Sequence, residues 1–421
     1  MLDIKFIREN PEIVQEATNA KNFPVDISKL LELDGQIKPL QTSWENLQAQ
    51  RNQISREIGK AEASKREELK AQVLTIKTEM ESLQTDLKQK KDELNSMLML
   101  VAQPARDDVP KGKDDQENVE VRKWGTIPKF EFKPKDHIAL GKDLGIVDIE
   151  RGVKLSGSRS YVLKGDGALL EQALLRYGYD KLIAKGFEPM SVPVLVNEAA
   201  MEGTGYFPLG RDQAYCVEKD KMALVGTSEV PVCSFHSNEM LNEKDLPIRY
   251  MAQTTCFRRE AGTYGKDTKG LYRVHQFQKI EMVILGTSKK EETDALHAEL
   301  LGLAESLVQD LGLPYRVVYV CTGDLGQGQV RKHDIETWMP SRDSYGETHS
   351  CSSFYDFQSR RLNIRYKDAE GKKHHVYTLN NTFLAIPRIL IAMLENLQTK
   401  DGKVKIPECL QGYLGNRTHL G

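Results

Sequence analysis

From Leu30 the apolar residues recur three and four positions apart: Leu30, Leu33, Ile37, Leu40, Trp44, Leu47, then Ile54 and Ile58, with Arg51 on the one seam position left polar. A second run reads Leu69, Val73, Ile76, Met80, Leu83, Leu87, then Leu94 and Met97, with Lys90 filling its gap. A 3.5-residue period held over two segments predicts two long helices zipped along one seam. GKAEASK (59–65) lies between them and offers Gly59 as a helix end, so the pair is expected to run antiparallel. Each helix covers about 30 residues, or about 45 Å at 1.5 Å per residue. Pro39 inside the first run predicts a kink there or the effective start of that helix.

The period is lost in AQPARDDVPKGKDDQENVEVRKWGTIPKFEFKPKDH, which carries four prolines and dense charge and reads as a join to a second domain. The boundary is placed at 102/103, giving domains 1–102 and 103–421. Helical patterns follow at 167–185, 289–311 and 385–399, and strand-like runs at Phe187–Val192, Tyr315–Cys321, Phe354–Gln358 and Val376–Leu379. Strands scattered singly, with long connections and no βαβ alternation, predict an α+β domain on a mainly antiparallel sheet.

Charge narrows the function. Charged residues make up 29% of the 421, which fits a chain with long solvated helices. The net charge is −2, so a polyanionic partner would have to be held by local clusters of Arg and Lys. Between 40 and 100 there are ten Lys plus Arg and ten Asp plus Glu, the balance of an ordinary solvated coiled coil. Arg51, Arg56, Lys60, Lys65, Arg66 and Lys70 gather near the hairpin tip, where a functional basic patch would lie. The six cysteines form no Cys-x-x-Cys pair, so free thiols and no zinc site are expected. His236 near Cys233 and His349 near Cys351 could suggest metal ligands, but neither has a second pair. MLDIKFIRENPEIV is not a secretory signal, and no apolar stretch approaches the roughly 20 residues that span a bilayer, so a cytoplasmic protein without membrane contact is expected. P-loop and Rossmann fingerprints do not occur.

The richest chemistry lies in FRREAGTYGKDTKGLYRVHQFQKIEM, residues 257–282. Arg258, Arg259 and Glu260 leave a predicted strand and enter a loop bearing Gly262, Gly265, Gly270, Lys266 and Lys269; Arg273, His275 and Phe277 return, and Glu281 follows. Guanidinium forks bind phosphate or carboxylate, an aromatic ring stacks on a nucleobase, and a carboxylate accepts from an exocyclic amine. A surface hairpin with solvated charges is the plain alternative. LVGTSEVPV (224–232) sets Thr227, Ser228 and Glu229 in an apolar run, where polar groups are either satisfied in a core or line a pocket. YGETHSCSSFYDFQSRR (345–361) gathers Glu347, Thr348, Ser350 and Ser352, a carboxylate and hydroxyls that can hold Mg²⁺ when phosphates complete its shell. NNTFLAIPRILIAMLEN (380–396) reads as a strand end running into an apolar helix with Arg388 its only cation, either on a ligand or paired to a local carboxylate.

Taken in order, these blocks resemble the three motifs of class II aminoacyl-tRNA synthetases, specifically the bacterial-type seryl enzymes. Pro193 in EPMSVPVLV resembles the first motif, 257–282 the second, and 380–396 the third. The TSE triplet, the GETHSCSS block, the DDVPKGKDDQENVEVRKWG join and the N-terminal helical hairpin are similar to the same family, so the likeness covers essentially the whole chain. It implies a class II antiparallel-sheet catalytic domain after a tRNA-binding helical hairpin. It implies ATP-dependent activation of L-serine to seryl-adenylate with release of pyrophosphate. Transfer to the 3′-terminal adenosine of tRNA(Ser) follows, and of a selenocysteine tRNA where one exists. ATP is then a substrate, Mg²⁺ the ion, zinc not required, and a homodimer forms through the first-motif region. Residue by residue, the resemblance places Arg258 between the serine carboxylate and the α-phosphate, Glu260 on the adenine amine and Phe277 on the adenine ring. It places Arg388 on the γ-phosphate and Glu347 and Ser350 on Mg²⁺. Thr227, Ser228, Glu229, Glu281 and Thr382 go to the serine pocket, and Arg259, Val274, Thr348 and His349 to the ATP site. Thr382 in NNT and His349 after Glu347 depart from the commoner Ser at each place. Two rivals stand beside this reading: a ligase that loads a carrier protein, and a coiled-coil scaffold without catalysis.

Overall fold

A computed structural model describes residues 1–23, 25–263 and 269–421, in two units, Met1–Pro104 and Ala105–Gly421. Gly265 and Lys266 of the basic loop lie outside the described residues.

The first unit is helical: α1 (Ile4–Glu9), α2 (Pro11–Ala20), α3 (Ile27–Ile58) and α4 (Ala63–Leu98). The Asp26 carboxylate caps α3 by accepting from Lys29 N at 3.0 Å, satisfying one of the free amides of the first turn. Leu30, Leu33, Leu69, Met80 and Leu87 are buried along the seam of α3 and α4, and the remaining seam residues are half-buried, Arg51 and Lys90 among them. Lys90 Nζ crosses to Gln36 Oε1 at 2.7 Å and Lys91 Nζ to Gln41 Oε1 at 2.9 Å. The hairpin expected from the period is therefore present. Pro39 does not mark the start of the helix: α3 runs through it from Ile27. Pro39 and Gly35, whose carbonyl loses its amide partner, are both exposed, so water can take the missing bond. At the base Ile7, Val14, Val25, Ile27, Leu30 and Val101 form a small core.

The second unit is built on an eight-stranded sheet: β1 (Val119–Trp124), β2 (Glu188–Met190), β3 (Ile248–Phe257), β4 (Gln276–Gly286), β5 (Tyr315–Tyr319), β6 (Arg331–Met339), β7 (Ser344–Tyr355) and β8 (Tyr377–Ala385). Their order is β1-β5-β6-β7-β8-β4-β3-β2, and every neighbour pair is antiparallel except β2 with β3. This is the α+β, mainly antiparallel architecture that the scattered strands predict. Helices α5 (Asp166–Ile183), α8 (Lys290–Asp310) and α10 (Ile386–Asn396) bury one face; between them on the chain come α6 (Glu198–Thr204), α7 (Glu229–Ser234) and α9 (Phe357–Leu362). Strand β4 shows how the faces divide. Ile280, Met282 and Ile284 enter the core under the helices, while Phe277, Lys279 and Glu281 point to the other side, where the chemistry lies.

Two expectations need correction. The charged join at 102–137 is not without structure, because β1 lies inside it and pairs with β5 as an edge strand. All six of its residues are exposed, so pairing with β5 and not burial holds it. Phe354–Gln358 is not one strand: β7 ends at Tyr355, whose φ is +48°, and α9 starts at Phe357. Phe354 and Phe357 are buried on both sides of that bend, so the aromatic pattern carries no sign of it.

A buried brace closes the second-motif loop. Glu395 of α10 accepts from His137 N at 3.0 Å and faces His137 Nδ1 at 2.7 Å, and the other ring nitrogen lies 3.2 Å from Leu271 N. Gly270 has φ +82°, and a Cβ there would collide with His137 Nε2. Gly270→Ala is therefore expected to destabilise the chain by roughly 1–3 kcal/mol, combining left-handed strain with displacement of His137. Urea unfolding followed by circular dichroism checks this, and an unchanged midpoint would contradict it.

Candidate active site

The exposed side of the sheet holds a cleft of about 310 Å³, walled by β4, β7, β8 and the segments that flank them. Its polar residues form two ends.

At one end three buried groups converge on β4. Lys279 Nζ forms an ion pair with Glu281 and donates to Thr227 Oγ1 at 2.7 Å, and Thr382 Oγ1 lies 3.3 Å from Glu281 Oε2. Thr382 is directly opposite Glu281 across the β4–β8 ladder, which sets both side chains on one face. Glu229 opens α7, and its carboxylate accepts from Tyr206 OH at 2.7 Å and Gln358 Nε2 at 2.8 Å. Burial, and then the neighbouring charge of Glu281, push its carboxyl up to about 7. Burial and the Glu229 carboxylate push the Tyr206 phenol up in turn.

At the other end Arg388, from the first turn of α10, donates through Nη1 to the Glu347 carbonyl at 2.7 Å and to its carboxylate at 3.3 Å, and through Nε to Tyr272 O at 3.2 Å. Its guanidinium sits 4.5 Å from the Tyr272 ring centroid. Glu347 and Ser350 are three residues apart, so a regular strand would point them to opposite faces. A register shift changes that. Asp334 pairs with Ser350 and Glu336 with Glu347, and since 334 and 336 share a face, so do 350 and 347. Burial would raise the Glu347 carboxyl, but the charges of Arg388, Lys332 and Arg258 outweigh it and hold it well below the usual carboxylate range. Behind this pair Lys332 Nζ lies 3.0 Å from Asp334 Oδ2.

Arg258 stands between the ends. It follows β3 directly, donates through Nε to Gly226 O at 3.3 Å, and rests 5.3 Å above the centroid of Phe277. Glu260 has φ +52°, and its carboxylate accepts from Arg273 Nη1 at 3.4 Å.

Of the residues singled out in the sequence, Glu229, Arg258, Glu260, Val274, Phe277, Glu281, Glu347, Thr348, Ser350, Thr382 and Arg388 line the cleft together. Four do not line it. Thr227 is buried under Lys279. Ser228 donates to Ala252 O at 3.1 Å. Exposed Arg259 bonds through its backbone amide to Gln213 O at 2.9 Å. His349 is buried between Thr348 Oγ1 at 2.9 Å and Phe383 O at 3.1 Å, bracing β7 against β8. Sequence reasoning missed Lys279, Tyr206, Gln358, Tyr272, Lys332 and Asp334. Lys279 was within reach, because Phe277, Lys279 and Glu281 share the two-residue period of one strand face. The others depend on long-range pairing. All six cysteines are free thiols.

Both halves of the chain match known family models. The tRNA synthetase class II core domain (G, H, P, S and T) covers residues 215–397, and the seryl-tRNA synthetase N-terminal domain covers residues 1–103. The sheet and its cleft are thus those of a class II aminoacyl-tRNA synthetase core. Over the full length, serine–tRNA ligases of Deinococcus radiodurans and Dictyoglomus turgidum are each 43% identical, with 100% and 99% of this chain and 99% and 98% of theirs aligned. The seryl-tRNA synthetase of Pyrococcus horikoshii complexed with ATP superposes with a TM-score of 0.90 at 38% identity, covering 100% of this chain and 99% of that one. The cytoplasmic serine–tRNA ligase of Naegleria fowleri in complex with AMP gives 0.86 at 30% identity, covering 100% and 98%. The chain belongs to the seryl-tRNA synthetase family.

Proposed function

We propose that the chain activates L-serine with ATP, forming seryl-adenylate and pyrophosphate, and then esterifies the terminal adenosine of tRNA(Ser). The observation that carries this reading is the two-ended cleft. A buried Glu229–Glu281–Lys279–Thr382 cluster suited to a small zwitterion with a hydroxyl lies at one end, an Arg388–Glu347–Ser350 cluster suited to polyphosphate at the other, and Arg258 between them.

The chemistry follows from that placement. The serine carboxylate is the nucleophile and is already ionised, so its attack on the α-phosphorus calls for no general base. Negative charge builds on the α-phosphate oxygens, where Arg258 meets both substrates and stabilises it. Phe277 stacks on adenine, Glu260 takes the adenine amine, and Arg388 turns to the terminal phosphate. Holding the two reactants in line supplies much of the remaining rate. Glu347 and Ser350 fit a hard cation, being one carboxylate and one hydroxyl on one face with the buried Asp334 Oδ1 left unpaired behind them. Mg²⁺ held there with the phosphates would neutralise their charge and polarise the reacting phosphate. Serine is distinguished from alanine by its hydroxyl, which Glu281 and Thr382 are placed to bond and which alanine lacks. Glu229 and Glu281 receive the ammonium. We also assign tRNA binding to the α3–α4 hairpin, dimer formation to the region around Pro193, and the cytoplasm as the compartment; among the described residues no helix is long and apolar enough to cross a membrane.

A pH dependence follows from Glu229. Its carboxyl titrates near 7 in the empty cleft, and the serine ammonium favours the ionised form. Affinity for serine is therefore full above pH 7 and falls as pH drops through 7, with KM rising up to about tenfold per pH unit below it. Glu229→Gln should weaken serine binding at all pH and remove the bend. A serine KM that is flat from pH 6 to 8 in the unaltered protein would contradict the assignment. The overall activity is tested by serine-dependent pyrophosphate exchange followed by charging of tRNA(Ser).

A further inference from the structure

We propose that Asp334 is a positioning residue that accepts a hydrogen bond from the Ser350 hydroxyl and so turns the lone pairs of that oxygen toward a divalent cation held with the triphosphate. The inference rests on the reading of the cleft as an ATP site and goes one layer behind it. Asp334 and Ser350 face each other directly across the β6–β7 ladder, which sets their Cβ atoms about 4.5–5.5 Å apart on the same side of the sheet. Asp334 is 5% exposed. Its Oδ2 is held by Lys332 Nζ at 3.0 Å, but its Oδ1 is buried with no hydrogen-bond partner. An unpaired carboxylate oxygen inside a protein is costly, and a native structure keeps one where a partner arrives later or turns toward it. Ser350 supplies that partner. A serine hydroxyl carries one proton and two lone pairs. When a lone pair goes to a cation the proton must point away from the ion, and the direction away from the cleft leads to Asp334. Groups that orient a metal ligand in this manner change metal affinity by about 10–100-fold when removed.

Asp334→Asn is the informative change. The Lys332 ammonium donates only, so it draws the amide oxygen to itself and leaves the amide NH₂ facing Ser350. The hydroxyl then accepts from the amide, and its own proton is driven toward the cation. Binding of Mn²⁺ to the full-length chain saturated with α,β-methylene-ATP, read from the free-ion EPR signal, measures the consequence without turnover. D334N is expected to bind Mn²⁺ about 10–100-fold more weakly than the unaltered protein. Ser350→Ala should show a comparable loss, and D334N added to S350A should cost less than twofold more, because Asp334 acts through Ser350. A merely structural role for Asp334 would lower thermal stability equally in both backgrounds and would not show this dependence. If D334N fails to fold, Lys332→Met with Asp334→Leu replaces the buried pair by apolar groups of similar size and is expected to show the same loss of Mn²⁺. Unchanged Mn²⁺ affinity in D334N, or losses that multiply in the double variant, overturn the proposal. An unaltered protein that takes up no Mn²⁺ with the analogue overturns instead the ATP reading beneath it.

Discussion

Arg258→Ala is expected to reduce serine-dependent pyrophosphate exchange by about 10²–10³-fold, the usual cost of removing one donor aimed at developing charge. The guanidinium is placed for this by two contacts, one edge on Gly226 O and its face over Phe277, and it stands between the acidic and polyphosphate ends of the cleft. The same geometry says that the fold should survive. Arg258 lies just past the end of β3 and is half-buried, and its loss removes no core residue. Arg258→Lys keeps the charge but loses the planar two-pronged fork and the stacking on Phe277, so it should recover only part of the rate. Exchange at the unaltered rate in a folded Arg258→Ala protein would mean that another group holds the α-phosphate.

The second large effect concerns the hairpin. Replacing residues 45–84 by a short Gly-Ser turn is expected to abolish tRNA charging, a fall of at least about 10²-fold, while exchange stays within about twofold. The cut keeps Gln36, Gln41, Lys90 and Lys91, whose cross-helix bonds fix the register near the base, and it keeps the small core of Ile7, Val14, Leu30 and Val101. It removes Arg51, Arg56, Lys60, Lys65, Arg66 and Lys70. Between 40 and 100 basic and acidic residues balance at ten each, so RNA contact there depends on where side chains stand more than on a strong field. The rival readings diverge at this point. A carrier-protein ligase would lose nothing that matters to it, and a scaffold would show no exchange in either protein. Charging that survives the cut would remove the hairpin from the tRNA site.

Sequence periodicity carried the fold well wherever a single face is buried. The seam from Leu30 to Met97 is a one-sided pattern, and its two polar members, Arg51 and Lys90, are half-buried like most of its apolar ones. Helices α5, α8 and α10 are apolar toward the sheet, and their patterns are correspondingly clear. Strand β1 escaped because it is an exposed edge strand, held by pairing with β5 and by contacts such as Arg122 on Glu305 and Trp124 on Tyr315, and the bend at Tyr355 escaped because buried aromatics flank it on both sides. The site was legible in its charged and aromatic residues. What sequence could not show is which of them share a face. Glu347 and Ser350 meet only because the ladder slips between Ile335 and Glu336, and one slipped residue flips every later side chain. Lys332 and Asp334 reach the site through that same ladder, from a strand whose residues carry no motif. His349 stands beside motif residues on the chain yet points behind the wall, since adjacent positions on an extended strand face opposite ways, and Ser228 does so from the turn that opens α7.

Selection of serine is proposed to lie in the buried Glu229–Glu281–Lys279–Thr382 end of the cleft. Pyrophosphate exchange measured with each of the twenty amino acids tests it most directly. Serine alone should support rapid exchange. Alanine should fall well below it, because it lacks the hydroxyl that Glu281 and Thr382 are placed to bond, and threonine should fall by a smaller factor set by its extra methyl group. Exchange driven best by any amino acid other than serine would contradict the account.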